Sequence, residues 1–226
     1  MNTKEIFDKI EETLEGNAHL DELASKRNDP FKILISTILS ARTKDANTKE
    51  ATETLFAKYK TPEDLANADQ EEIEKLIYKA GFYRVKAVRI KEVSQILLDR
   101  YAGKVPKDFE DLVNLPGVGA KTANCVLVYA FKIPSIPVDT HVHRISNRLN
   151  WVNTKKPEET EAELKKKIPK EHWLRINSTF VKFGQQLCLP NNPKCESCPI
   201  SEVCPKDFSM ESERKKKRKK RKKKSW

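Results

Sequence analysis

A tight glycine turn between two helical patterns constrains this chain more than any other stretch. Asp108 to Asn114 reads as helix, Leu115-Pro116-Gly117-Val118-Gly119 as a hairpin, and Ala120 to Phe131 as a second helix. Gly117 and Gly119 leave the backbone unshielded and free to take positive φ. Amide N–H groups in such a turn, with the positive end of the following helix dipole, form a phosphate site. A grip through the backbone of Gly117, Val118 and Gly119 holds a nucleic-acid strand without reading its sequence. A plain helix corner closed by glycines satisfies the same pattern. Lys121 falls in the first turn of the second helix, where the dipole opposes a cation. A neutral amine there is a nucleophile able to form a Schiff base with a sugar aldehyde carbon. The alternative is an ordinary surface lysine.

Helical periodicity runs through the rest of the chain, with no run of alternating strand residues. The pattern predicts an all-α fold of about eleven helices: 3–14, 31–41, 45–59, 62–67, 69–80, 84–101, 108–114, 120–131, 139–149, 157–168 and 170–187. Asp29-Pro30 and Thr61-Pro62 each pair a cap with a proline at the first helical position. Asp139 caps the helix that follows the extended segment 132–138, whose Pro134 and Pro137 hold it out of helix.

The 226 residues suffice for one or two modest domains with a real core. No apolar run approaches the roughly 18–20 residues that span a bilayer. The charged start, Met1-Asn2-Thr3-Lys4-Glu5, carries no signal peptide pattern. The expectation is a soluble intracellular monomer with no membrane partner. The net charge of +11 sits wholly in Arg214–Lys224, an unbroken basic run; 33 basic and 33 acidic residues balance elsewhere. Such a run repels itself and buries nothing, so residues 209–226 are expected to be disordered. It suits a non-specific nucleic-acid tether through counterion release, or an import signal.

Four of the five cysteines fall in 17 residues, as Cys188-x6-Cys195-x2-Cys198-x5-Cys204, with Pro190, Pro193, Pro199 and Pro205 interrupting any helix. Disulfides are rare inside cells. Four thiolates in a compact loop point to a metal, either a 4Fe-4S cluster wrapped by four cysteines or a zinc ion. Cys125, mid-helix among apolar residues, reads as packing. His141 and His143, two apart on a helix, do not share a face and are not a metal pair. They read as helix-surface or groove-lining residues.

Taken together, Leu115–Ala123, Val138-Asp139-Thr140-His141-Val142-His143-Arg144-Ile145 and the cysteine spacing resemble the helix-hairpin-helix DNA glycosylases, most closely endonuclease III, over roughly residues 1 to 208. The resemblance implies a six-helix barrel over 23–133. It also implies a cluster domain from 1–22 with 134–208, holding a 4Fe-4S cluster on Cys188, Cys195, Cys198 and Cys204. A DNA groove would lie between the two, with the hairpin and Asp139 at its mouth. It implies a base-excision-repair enzyme, cytoplasmic on the nucleoid or, in a eukaryote, nuclear. The partner would be double-stranded DNA with a damaged base or an abasic site. Lys121 would attack the sugar of an oxidised pyrimidine nucleotide and cut the strand by β-elimination. Asp139 would assist, although an N-cap alone explains it too.

Arg42 and Phe82 match the family's DNA-wedging positions. Arg42 stands where endonuclease III commonly has Gln, which bears on opposite-base preference; a solvated helix end is its other reading. Phe82 is either an apolar wedge that unstacks a base step or a core aromatic. Lys194 is the sole basic residue between Cys188 and Cys195, so that DNA-facing loop is less basic than is usual in the family. Two rivals remain. A monofunctional thymine or uracil mismatch glycosylase needs no lysine nucleophile. A non-catalytic DNA-binding module needs neither Lys121 nor Asp139.

Overall fold

The computed structural model describes residues 1–16, 19–26 and 29–209. The basic run Arg214–Lys224 lies outside the described residues. Every regular element among those described is helical, as the periodicity predicts. The chain divides into two compact units, Asn17–Pro137 in one and Met1–Gly16 with the chain from Val138 onward in the other.

The central unit holds α2 (His19–Lys26), α3 (Pro30–Ser40), α4 (Asp45–Lys58), α5 (Pro62–Asn67), α6 (Gln70–Leu76), α7 (Tyr83–Tyr101), α8 (Phe109–Val113) and α9 (Ala120–Phe131). Helix α3 is apolar almost all round, with Ile33, Leu34, Ile35, Ile38 and Leu39 buried, which makes it a core helix. It packs against α2, α4, α7 and α9. Asp29 starts it, accepting from the Phe31 and Lys32 amides at 2.9 and 3.2 Å. Two threonine hydroxyls inside this core are satisfied locally. Thr37 donates back to Ile33 O at 2.7 Å, and Thr52 donates to Thr48 O at 2.7 Å.

The other unit holds α1 (Thr3–Thr13), α10 (Thr140–Arg148), α11 (Pro157–Lys167), a short 3-10 turn (Lys170–His172) and α12 (Trp173–Gln186). Helix α1 is fastened to α12 by an aromatic cluster. Phe7, fully buried, lies 5.5 Å from Phe180 and 5.7 Å from Trp151, centroid to centroid. Above it Arg175 spreads its guanidinium between Asp8 at 2.9 Å and Glu11.

The sequence pattern departs from the structure in three places. Helix α2 was not predicted; with only Leu20, Leu23 and Ala24 as apolar residues, its eight residues give too little periodicity to register. Helix α6 stops at Leu76 instead of Ala80, because the chain turns through 77–82 to bring Gly81 against the end of α3. The last long helix begins as a 3-10 turn, and its α-helical part starts at Trp173.

The α1–α12 cluster sets a prediction. Phe7→Ala should lower the unfolding free energy by about 3–5 kcal/mol, the usual cost of truncating a buried phenylalanine. Urea denaturation followed by circular dichroism measures it.

Candidate functional site

The hairpin forms as predicted, but its two glycines do different work. Asp108 caps α8 by accepting from the Glu110 and Asp111 amides. After α8, Val118 N–H closes the turn onto Leu115 O at 3.1 Å. Gly117 sits at φ +78°, the left-handed region that side chains resist. Gly119 does not; it is extended at φ −96°, ψ 179°. Its lack of a side chain matters for access instead, since a Cβ built there meets nothing within 4 Å. As the N-cap of α9 it also supplies no side-chain acceptor, unlike Asp108 at α8. Val118 is buried as a whole residue, so the exposed positions of the hairpin are Gly117 and Gly119 on either side of it.

Helix α9 then disappears into the core. Thr122 through Ala130 are all buried, whereas Gly119 and Ala120 are exposed and Lys121 is partly so. The rigid part of the helix therefore ends at the turn that carries Lys121.

A second group of predicted residues shares this unit. Arg42 follows α3 at φ +54°, and Phe82 precedes α7 at φ +59°. Neither is glycine, and each left-handed residue costs roughly 1–2 kcal/mol. The structure brings them together: the Arg42 guanidinium carbon lies 5.6 Å from the Phe82 ring centroid. Phe82 is 61% exposed, which sets aside its reading as a core aromatic. The two turns touch through Gly81, where a Cβ would stand 2.7 Å from Arg42 O. One concavity is lined by Ala41, Arg42, Phe82, Val85, Lys86 and Arg89. Arg89 continues it to the hairpin, its Cδ 2.7 Å from where a Gly117 Cβ would be. The hairpin, Arg89, Phe82 and Arg42 thus form one face with two cations and an exposed aromatic. Val85 and Arg89 were not singled out from sequence. Their spacing from Phe82, at i+3 and i+7 along α7, is the signal that finds them.

In the other unit Asp139 caps α10. Its Oδ1 accepts from His141 N–H and Val142 N–H, both at 2.8 Å. Both bonds use one oxygen and leave Oδ2 outside the cap. His143 corrects the sequence reading. It is no surface residue but is buried, with Nδ1 2.6 Å from Thr160 Oγ1. Position alone cannot separate the two faces of a nine-residue helix. His141 stays partly exposed, and its ring leaves room for nothing but glycine at position 184, where a Cβ would lie 2.3 Å from Nδ1.

The cysteine loop follows α12. Cys188, Cys195, Cys198 and Cys204 all line one cavity, walled on its apolar side by Ile145, Leu149, Phe183 and Ile200. Burial pushes the Cys188, Cys198 and Cys204 thiols up, and Arg148 pulls Cys188 partly back. Arg148 was missed from sequence. It is buried and donates to Cys188 Sγ at 3.2 Å, to Leu189 O at 2.8 Å and to Pro190 O at 3.2 Å, with its guanidinium 4.9 Å from the Phe208 ring. Lys194 is exposed on this loop, its amide bound to Leu187 O. Among the described residues no three His, Cys, Asp or Glu side chains converge to single-ion spacing. Four soft sulfur donors on one apolar-backed cavity nonetheless fit a thiolate-bound group in donor type and number. Cys125 is buried in α9, as read from sequence.

The two glycines should separate under mutation. Gly117→Ala meets both the left-handed strain and Arg89 and should cost about 1–2 kcal/mol of stability. Gly119→Ala should leave stability unchanged or raise it by a few tenths of a kcal/mol, yet weaken binding to a DNA duplex by crowding the open end of α9. Thermal melts and fluorescence-anisotropy titrations measure the two effects.

Comparison with known proteins agrees with this geometry. The HhH-GPD superfamily of base excision DNA repair proteins matches residues 35–170. Endonuclease III of Thermotoga maritima is 54% identical over 179 residues, covering 79% of this chain and 84% of that protein. Endonuclease III homolog 2, chloroplastic, of Arabidopsis thaliana is 44% identical over 82% of this chain, which spans only 52% of that longer protein. Among solved structures, a trapped endonuclease III–DNA covalent intermediate, an estranged-adenine complex, superposes with a TM-score of 0.79 at 37% identity, over 91% of this chain and 97% of that one. The glycine hairpin, the partly exposed lysine behind it and these matches together place the chain in the HhH-GPD superfamily, in its endonuclease III family.

Proposed function

We propose that the chain is a bifunctional DNA glycosylase and abasic-site lyase of base excision repair, which removes oxidised pyrimidines from duplex DNA through a Schiff base on Lys121. The observation that carries this reading is the emergence of α9. A helix buried from Thr122 to Ala130 presents a lysine at its accessible first turn, directly behind a glycine hairpin suited to phosphate. The solved relative is a covalent endonuclease III–DNA intermediate, which agrees with a nucleophile carried by the protein. A site that only bound DNA would need no such group.

The chemistry follows in balanced steps. A damaged base leaves the stack at a cost lowered by its weak pairing. The Lys121 amine attacks C1′, the C1′–N bond breaks, and the base departs with the bonding pair and takes up a proton. The ring opens to a Schiff base, which acidifies the C2′ proton. Loss of that proton expels the 3′ phosphate and cuts the strand. The Asp139 carboxylate, through the oxygen its cap leaves over, stabilises the developing sugar cation and assists proton transfer. The hairpin backbone of Gly117, Val118 and Gly119 holds phosphate, and Arg42 and Phe82 enter the duplex where the base departs. Lys194 adds a cation on the cysteine loop. In this arrangement 23–133 is the six-helix barrel and 1–22 with 134–208 the cluster domain. A 4Fe-4S cluster on Cys188, Cys195, Cys198 and Cys204 would staple a loop that has little core of its own. The enzyme would work where duplex DNA is held, on a cytoplasmic nucleoid or in a nucleus.

Borohydride trapping on a duplex with one abasic site tests the nucleophile. A covalent adduct is expected with the native chain and none with Lys121→Ala, which should still bind the duplex. No adduct from native protein that binds the duplex would overturn the bifunctional reading. Asp139→Asn should keep binding and lose roughly 10²–10⁴-fold in base excision, the usual range for a lost general acid–base group. The cofactor has its own measurement. Purified protein should contain about four iron atoms and four acid-labile sulfides per chain, the content of a cuboidal cluster, and Cys198→Ala should lose both. One zinc per chain and no sulfide would replace the cluster by an ion.

A further inference from the structure

The turns that carry Arg42 and Phe82 come from distant parts of the sequence, yet one residue ties them together, by its side chain to the first and by its backbone to the second. Lys86, in the first turn of α7, is only 3% exposed. Its Nζ donates to Leu39 O at 2.7 Å, to Ala41 O at 2.7 Å and to Thr43 Oγ1 at 2.8 Å. These acceptors bracket Arg42 on both sides, and the first two are end carbonyls of α3 that a helix leaves without an internal partner. The same residue's backbone N–H bonds Phe82 O at 3.1 Å. Thr43 completes the circuit by accepting from Gly81 N–H at 3.0 Å. Burial pushes the Lys86 ammonium down to about 8, with Arg89 adding to the effect. At neutral pH it therefore remains mostly charged, with three protons for three neutral acceptors.

We propose that Lys86 is a positioning residue that clamps the Arg42 turn to the Phe82 turn, so that the two side chains enter a duplex as a single preformed wedge when a damaged base leaves the stack. The inference rests on the reading of this face as the DNA-facing one. Both wedge residues sit at positive φ, and nothing in their own side chains favours that conformation. The clamp supplies what they lack. It fixes the end of α3, the start of α7 and the Gly81 contact between them. Without it each turn is free to relax toward ordinary dihedrals, and the arginine–phenylalanine stack is lost. A wedge that must first assemble slows extrusion of a stacked base. It matters far less on an abasic site, where no base has to be unstacked.

The test compares two reactions of each protein. One is single-turnover excision of thymine glycol paired with adenine. The other is strand cleavage at an abasic site in the same duplex. For Lys86→Met the ratio of excision rate to lyase rate should fall about tenfold or more, the scale of lost hydrogen bonds to a charged donor. Thr43→Val removes one acceptor and the Gly81 link but keeps the buried ammonium. It should show the same one-sided loss, about threefold to tenfold. It decides the matter alone should Lys86→Met fold poorly in a thermal melt. A 2-aminopurine placed opposite the lesion should brighten more slowly in both variants, since it reports the wedge entering. Equal losses on the two substrates, or an unchanged ratio, would overturn the clamp and leave Lys86 a stabilising residue only. A native chain inert on the abasic duplex would instead overturn the lyase reading, so the two failures are distinguishable.

Discussion

The near-complete burial of α9 is the constraint on which the central unit depends. Two helices that are apolar almost all round, α3 and α9, have no solvent-facing side and must pack against each other and their neighbours. Once that happens, α9 is accessible only at its two ends, in the first turn with Ala120 and Lys121 and at Phe131. Lys121 and the hairpin amides stand on a stretch of backbone whose position the core fixes. In the reading proposed above, the Lys121 backbone is already placed before a strand arrives, which is what a nucleophile gains from preorganisation.

The face beside the hairpin shows the opposite strategy. Arg42 and Phe82 stand on turns, at dihedrals that cost energy, with one exposed aromatic that burial does not stabilise. Such strain persists only where surrounding structure over-determines it. Here the surrounding structure is Lys86, Thr43 and the absence of a side chain at Gly81. A buried ammonium is costly by itself. Three acceptors, two of them helix-end carbonyls that need donors, offset that cost and convert it into specificity of geometry.

The cysteine loop repeats the arrangement with a different cation. Its prolines remove amide donors and prevent a continuous helix, so its backbone pairs in short turns, such as Ser201 N–H to Cys198 O and Cys204 N–H to Ile200 O, both at 3.0 Å. Arg148 meets Leu189 O and Pro190 O from α10, and touches Cys188 Sγ with the same guanidinium. An arginine suits this task because its five donors are held in a rigid fork. The cavity that all four cysteines line is thus shaped by a buried cation and an apolar wall before any bound group contributes.

Much of this was legible in the residue pattern, and the remainder was hidden for identifiable reasons. Periodicity and caps revealed eleven of the twelve α-helices among the described residues to within a few residues at their ends, and the hairpin to the residue, because these depend on spacings of three to seven positions. Helix α2 escaped because eight residues with little apolar content carry almost no period. The motif residues Lys121, Asp139 and the four cysteines stood out by local context. Lys86, Arg89 and Arg148 did not: each looks like one more cation on a helix, and its partners lie about 30 to 47 positions away. The difference between Gly117 and Gly119, and the burial of His143 but not His141, were likewise invisible. By itself the sequence determined which segments become helices and which residue types could carry chemistry, since both follow from local propensity and chemical identity. Only the tertiary structure decided which cations are buried, which turns touch and which oxygen of Asp139 the cap leaves over, because those depend on packing between segments that no local pattern records.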